Sequence, residues 1–154
     1  MLHGDLLGER ARLTPEKTAL VCVPQGTRFT YAELDARARR AAALWLDVCG
    51  FQPGDRVALL SHNRVEFLDL FFAAGKSGIV LVPLGTRLTA HELAFIVRDS
   101  GARALVYDGA FSGTVAELRT LVAVDRRVQK LWGIGARSEK LARTTLARIE
   151  ARPS

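Results

Sequence analysis

Apolar and polar positions along the chain alternate between two periods. Short β-branched or aliphatic runs begin at Arg56 (RVALL), Ile79 (IVLVP), Arg103 (RALVY) and Val128 (VQKLW), spaced 23, 24 and 25 residues apart. After each, the apolar positions fall at helical spacing, predicting helices over Arg64–Ser77, Ala90–Ser100, Thr114–Val124 and Ser138–Glu150. Near-continuous apolar strands alternating with helices predict repeated βα units and a parallel sheet, hence a three-layer α/β fold with helices on both faces. A short hairpin, Ala19–Val23 with Thr27–Phe29, precedes them through Pro24-Gln25-Gly26. The long helix that follows carries Tyr31, Leu34, Ala38, Ala41, Trp45 and Val48 along one face and stops at Gly50. Four segments have capping-box form: Thr30-x-x-Glu33, Asn63-x-x-Glu66, Thr89-x-x-Glu92 and Thr114-x-x-Glu117.

The length of 154 residues suits a single α/β domain spanning residues 1–154, able to bury about 68–70% of its unfolded surface. With 49% hydrophobic and 25% charged residues, the composition is globular and excludes a disordered chain. Cys22 and Cys49 match neither a zinc nor a redox spacing, which suits a reducing cytoplasm. The segment Phe67–Leu84 is too interrupted by Asp69, Gly75, Lys76 and Gly78 to cross a membrane, and Met1–Asp5 lacks the basic start of a signal peptide. The net charge of +6 is confined to residues 119–154, which hold nine Lys/Arg against three acids. That basic segment has one aromatic, Trp132, so it lacks a stacking platform and the motifs of a groove reader. A nucleic-acid partner is not expected.

Several short strings resemble chemistry. Gly75-Lys76-Ser77 lacks the earlier glycine of a phosphate loop, since Leu70 stands there, and it ends a helix; C-capping is the expected role. Ser112-Gly113-Thr114 has no further glycine or lysine and reads as a loop with an N-cap. Gly133-x-Gly135 has the strand-to-helix context of a dinucleotide loop, but Ser138 replaces its third glycine. His3, His62 and His91 are scattered, so surface or capping roles are expected and no metal-ligand set is read. No catalytic constellation is legible from these patterns.

One extended stretch points to a family. Gly26–Leu34 (GTRFTYAEL) and Pro53–Ala58 (PGDRVA) open it, followed by Glu66-Phe67 and Phe71–Gly78 (FFAAGKSG). Val82-Pro83-Leu84, Arg87–Leu93 (RLTAHEL) and Asp99–Arg103 (DSGAR) continue it in order. Together these resemble the N-terminal subdomain of the AMP-forming acyl-CoA synthetases, members of the adenylate-forming superfamily. The Arg-Leu-Thr-x-x-Glu-Leu form is similar to acid–CoA ligases rather than peptide-synthetase adenylation domains. Gly85-Thr86 replaces the Asn-Pro that the family often carries before the arginine, which loosens the expected loop geometry.

The resemblance implies an enzyme that joins a carboxylate to AMP from ATP and then passes the acyl group to CoA, with Mg2+ assisting. It covers the first quarter to third of such an enzyme. The family's Ser/Thr/Gly-rich phosphate loop, its magnesium-binding glutamate, its ribose-binding aspartate and its catalytic lysine would all lie beyond Ser154. This chain alone is therefore expected to lack catalytic residues, metal ligands and adenylate-forming activity. The resemblance places Arg87 at the nucleotide phosphates of CoA; the other reading of Arg87 is a surface ion pair or a side chain lying over the helix that follows. Expected partners are the remainder of the ligase chain and, for this chain on its own, a second copy. Two rival readings stand beside it: an interaction module that kept the fold without catalysis, and a nucleotide-binding protein using Gly133–Ser138.

Overall fold

The computed structural model describes residues 4–23, 25–122 and 130–134. The chain divides into two compact units: residues 1–54 with 63–79, and residues 55–62 with 80–154.

The first unit is built from helices and one hairpin. Helix α1 (Leu6–Leu13) starts at Asp5, whose Oδ1 accepts the Gly8 N–H at 2.9 Å. It is absent from the sequence-based expectation because it is only eight residues long and carries Gly8 inside it. Strands β1 (Thr18–Cys22) and β2 (Thr27–Thr30) pair antiparallel as expected. Helix α2 (Tyr31–Ala43) begins with the complete Thr30/Glu33 capping box and runs into a π-helical turn, Leu44–Val48. There the Cys49 N–H donates to the Leu44 carbonyl at 3.0 Å, five residues back. The wider turn rephases the apolar face: Trp45 stays 1% exposed, but Val48, expected on the same face, is 49% exposed. Helix α3 (Val65–Ser77) packs on α2, and a core of Leu7, Leu34 and Ala38 is lined by Leu20, Phe29, Tyr31 and Phe72.

Ion pairs tie these helices together. Arg37 grips Asp69 through Nε (2.9 Å) and Nη2 (2.6 Å) and lies over the Phe29 ring. Burial pushes the Asp69 carboxyl above its ordinary pKa, and the Arg37 bonds only partly offset this. Lys76 bonds Asp35 at 2.5 Å and Asp5 at 2.6 Å.

The second unit is a parallel sheet in the order β4-β3-β5-β6, from β3 (Arg56–Leu60), β4 (Val80–Pro83), β5 (Ala104–Asp108) and β6 (Lys130–Ile134). The register runs Leu59↔Pro83, Leu60↔Tyr107 and Tyr107↔Gly133. Ala58, Leu60 and Leu105 pack with Leu93, Val97 and Leu118 from α4 (Ala90–Asp99) and α5 (Ser112–Val122). Val57, Leu59 and Ala104, which alternate to the opposite face, are also fully buried. Strands buried on both faces read as continuous apolar runs, which is why β3 and β5 showed so plainly in the sequence. The expected α/β class, with its parallel sheet of βα units and preceding hairpin, is the one observed.

Two capping boxes are corrected. Helix α3 starts at Val65 with Arg64 at the N-cap and no side-chain cap, because Glu66 is held by Arg64 at 3.2 Å instead of reaching back to Asn63. Thr114 lies inside α5, which begins at Ser112 after a 3₁₀ turn, Gly109–Phe111, capped by Asp108. The helix expected over Ser138–Glu150 lies outside the described residues.

Candidate functional site

Every loop at the C-terminal edge of the sheet leaves from a strand end. β3 gives way to Ser61 and His62, β4 to the Leu84–Thr89 connection, and β5 to the 3₁₀ turn that follows Asp108. The Leu84 N–H donates to the Leu59 carbonyl at 2.8 Å, so the ends of β3 and β4 lie side by side. From β3 the chain goes on to β4 on one flank, and from β5 to β6 on the other. The winding therefore reverses between β3 and β5, and open α/β sheets bind ligands outside the carboxyl ends at such a point.

Arg87 lies in that edge. The Leu88 N–H donates to the Gly85 carbonyl at 3.2 Å, closing a turn around Thr86 and Arg87 where the sequence suggested a loosened loop. Arg87 is exposed, and its guanidinium has no carboxylate partner among the described residues, so the ion-paired alternative is not observed there.

Beside it, the edge assembles a group that sequence reasoning missed. His62 Nδ1 lies 3.7 Å from Asp108 Oδ2, and the His62 and Phe111 rings are 4.6 Å apart at 33°. Asp108 is buried, and its Oδ1 accepts the Ala110 N–H at 3.1 Å. The only sequence signal was that Asp108 follows directly on an apolar run and that His62 stands one residue beyond another.

The other strings have structural roles. A Cβ on Gly75 would lie 2.5 Å from the Gly4 carbonyl oxygen, so this glycine permits a close backbone approach rather than cradling phosphate. Lys76 is in the ion network, and Ser77 Oγ donates to the Ala73 carbonyl at 2.7 Å. The left-handed C-cap of α3 is Gly78, at φ 73°, one residue beyond the Gly75–Ser77 string expected to cap it. Ser112 opens α5 directly, so no loop with an N-cap forms at Ser112–Thr114; Asp108 caps the 3₁₀ turn that precedes the helix. His91 forms a surface pair with Glu117 at 3.8 Å. Gly133 lies in β6, while Gly135–Ser138 and His3 fall outside the described residues. Among the described residues no three His, Cys, Asp or Glu converge as a metal site, and no helix is long and apolar enough to cross a membrane.

The family model for AMP-binding enzymes matches residues 7–150. The chain belongs to the AMP-binding enzyme family. Among its relatives, a long-chain-fatty-acid–CoA ligase (FadD13) of Mycobacterium tuberculosis is 38% identical over 138 residues, covering 90% of this chain and 27% of the ligase. A feruloyl-CoA synthase from Amycolatopsis is 44% identical over 109 residues, 71% of this chain and 22% of the synthase. The structure superposes with a TM-score of 0.82 on the inhibitor-bound N-terminal domain of FACL13 from Mycobacterium tuberculosis, at 37% identity, covering 90% of this chain and 34% of that one. This chain thus corresponds to the N-terminal part of acyl-CoA ligases and spans about a quarter of the length of the curated relatives it matches.

Proposed function

We propose that this chain serves a cytoplasmic AMP-forming acid–CoA ligase and that its β4–α4 turn holds the CoA nucleotide phosphates through Arg87. In that reaction a carboxylate attacks the α-phosphorus of ATP, releasing pyrophosphate, and the CoA thiol then displaces AMP to give the thioester. The observation that carries the reading is the exposed Arg87, unpaired with any carboxylate among the described residues, at the C-terminal edge of a parallel sheet. A guanidinium keeps its charge and donates two parallel hydrogen bonds to one phosphate, so it suits this task better than lysine. Among the described residues no ligand set fits Mg2+. The proposed partner is the remainder of the ligase chain; for this chain on its own it is a second copy.

In the ligase, Arg87→Ala is expected to raise KM for CoA by roughly ten- to hundred-fold, corresponding to about 1.5–3 kcal/mol for a charge-assisted hydrogen bond. Pyrophosphate release measured without CoA should stay unchanged, because that half-reaction never meets CoA. Equal loss in both half-reactions would assign Arg87 to folding instead.

A further inference from the structure

Two neighbouring loops at the sheet edge present a cation and a flat ring. Leu59 and Pro83 are register partners, His62 follows three residues after the first, and Arg87 four after the second. The His62 imidazole is braced by Phe111 at 4.6 Å and by the buried Asp108 carboxylate at 3.7 Å, yet its side chain is 59% exposed. A ring held by two neighbours loses little freedom when a second ring stacks on it.

We propose that the His62–Phe111 stack, braced by Asp108, is a platform for the purine base of an adenine nucleotide whose phosphates reach Arg87. Stacking on aromatic side chains recognises a base through its π-face without needing a hydrogen-bond code. The proposal rests on the reading of the β4–α4 turn as a phosphate site.

The two readings separate experimentally. The full chain is titrated to millimolar concentration with 3′-phospho-ADP, MgATP or inorganic pyrophosphate. Binding is followed through the imidazole resonance, assigned with His62→Gln, and through the Gly85–Thr89 amides. The expected result is a saturable upfield shift of the His62 resonance with nucleotide and none with pyrophosphate. His62→Ala should weaken nucleotide binding about tenfold and leave pyrophosphate unaffected, while His62→Phe restores it. Arg87→Ala should weaken both ligands; if it weakens neither while the His62 effects persist, the phosphate reading fails and the platform stands. A shift at lower concentration with 3′-phospho-ADP than with MgATP supports the platform and assigns its base to CoA, and the reverse order assigns it to ATP. No His62 shift, an equal shift with pyrophosphate, or nucleotide binding indifferent to His62→Ala would overturn the platform.

Discussion

Lys76 has 7% of its side chain exposed, and so does Asp35, which it meets at 2.5 Å; Arg39 takes the other Asp35 oxygen at 2.7 Å. Removing one member of a buried pair strands the other charge. Lys76→Met is therefore expected to cost about 3 kcal/mol, a fall of about 6–12 °C in Tm by calorimetry. Loss of adenine-nucleotide binding without loss of stability would instead make this lysine part of a ligand site. The same network sets a pH dependence through Asp5. Burial raises its pKa, but the Lys76 hydrogen bond and the Gly8 N–H outweigh this, and the carboxyl is held below its ordinary value. A depressed carboxyl stabilises fully above its unfolded pKa, about 3.9, and that contribution is lost as pH falls through the lower folded value. Tm measured from pH 6 down to pH 2 should show a steeper acid limb for the native chain than for Asp5→Asn; superimposable limbs would remove Asp5 from the account. None of this was legible in Gly75-Lys76-Ser77, because the groups that give the string its roles, Gly4, Asp5 and Asp35, come from distant parts of the chain.

At the scale of elements, four capping boxes of the same form divide into two that close and two that do not. Thr30 Oγ1 accepts the Glu33 N–H at 3.2 Å, and the Glu33 carboxylate accepts the Thr30 N–H at 2.8 Å. Thr30→Ala should cost about 1 kcal/mol in chemical denaturation, whereas Asn63→Ala should stay within about 0.5 kcal/mol. Similar losses at both positions would restore the Asn63 box. Strands and most helices were readable because burial writes itself into local apolar period. The edge group was not, since His62 and Asp108 meet only through the Leu60↔Tyr107 register, a long-range pairing with no local signature. The π-helical turn was equally hidden: an i→i+5 closure adds one residue to a turn without changing its residue types.

For the whole molecule, the exposed apolar positions bear on association. Strand β4 stands at one end of the described sheet, with Val80 47% exposed, and Phe95 on α4 is 68% exposed. An uncovered strand edge beside apolar side chains recruits another chain. Light scattering of this chain on its own should give more than 16.8 kDa, and a monomer at high concentration would contradict that expectation. The two compact units also carry a consequence for how the chain can be divided. It passes from the first unit to the second at 54/55, returns at 62/63 and leaves again at 79/80. Within the first unit the Gly54 N–H donates to the Gly78 carbonyl, and within the second the Val80 N–H donates to the Asp55 carbonyl, each at 2.8 Å. No single cleavage point, start codon or fusion junction can therefore release one unit intact, because any cut that frees one end leaves a piece of its neighbour attached. Residues 1–79 hold both segments of the first unit and, between them, the strand Arg56–Leu60 of the second.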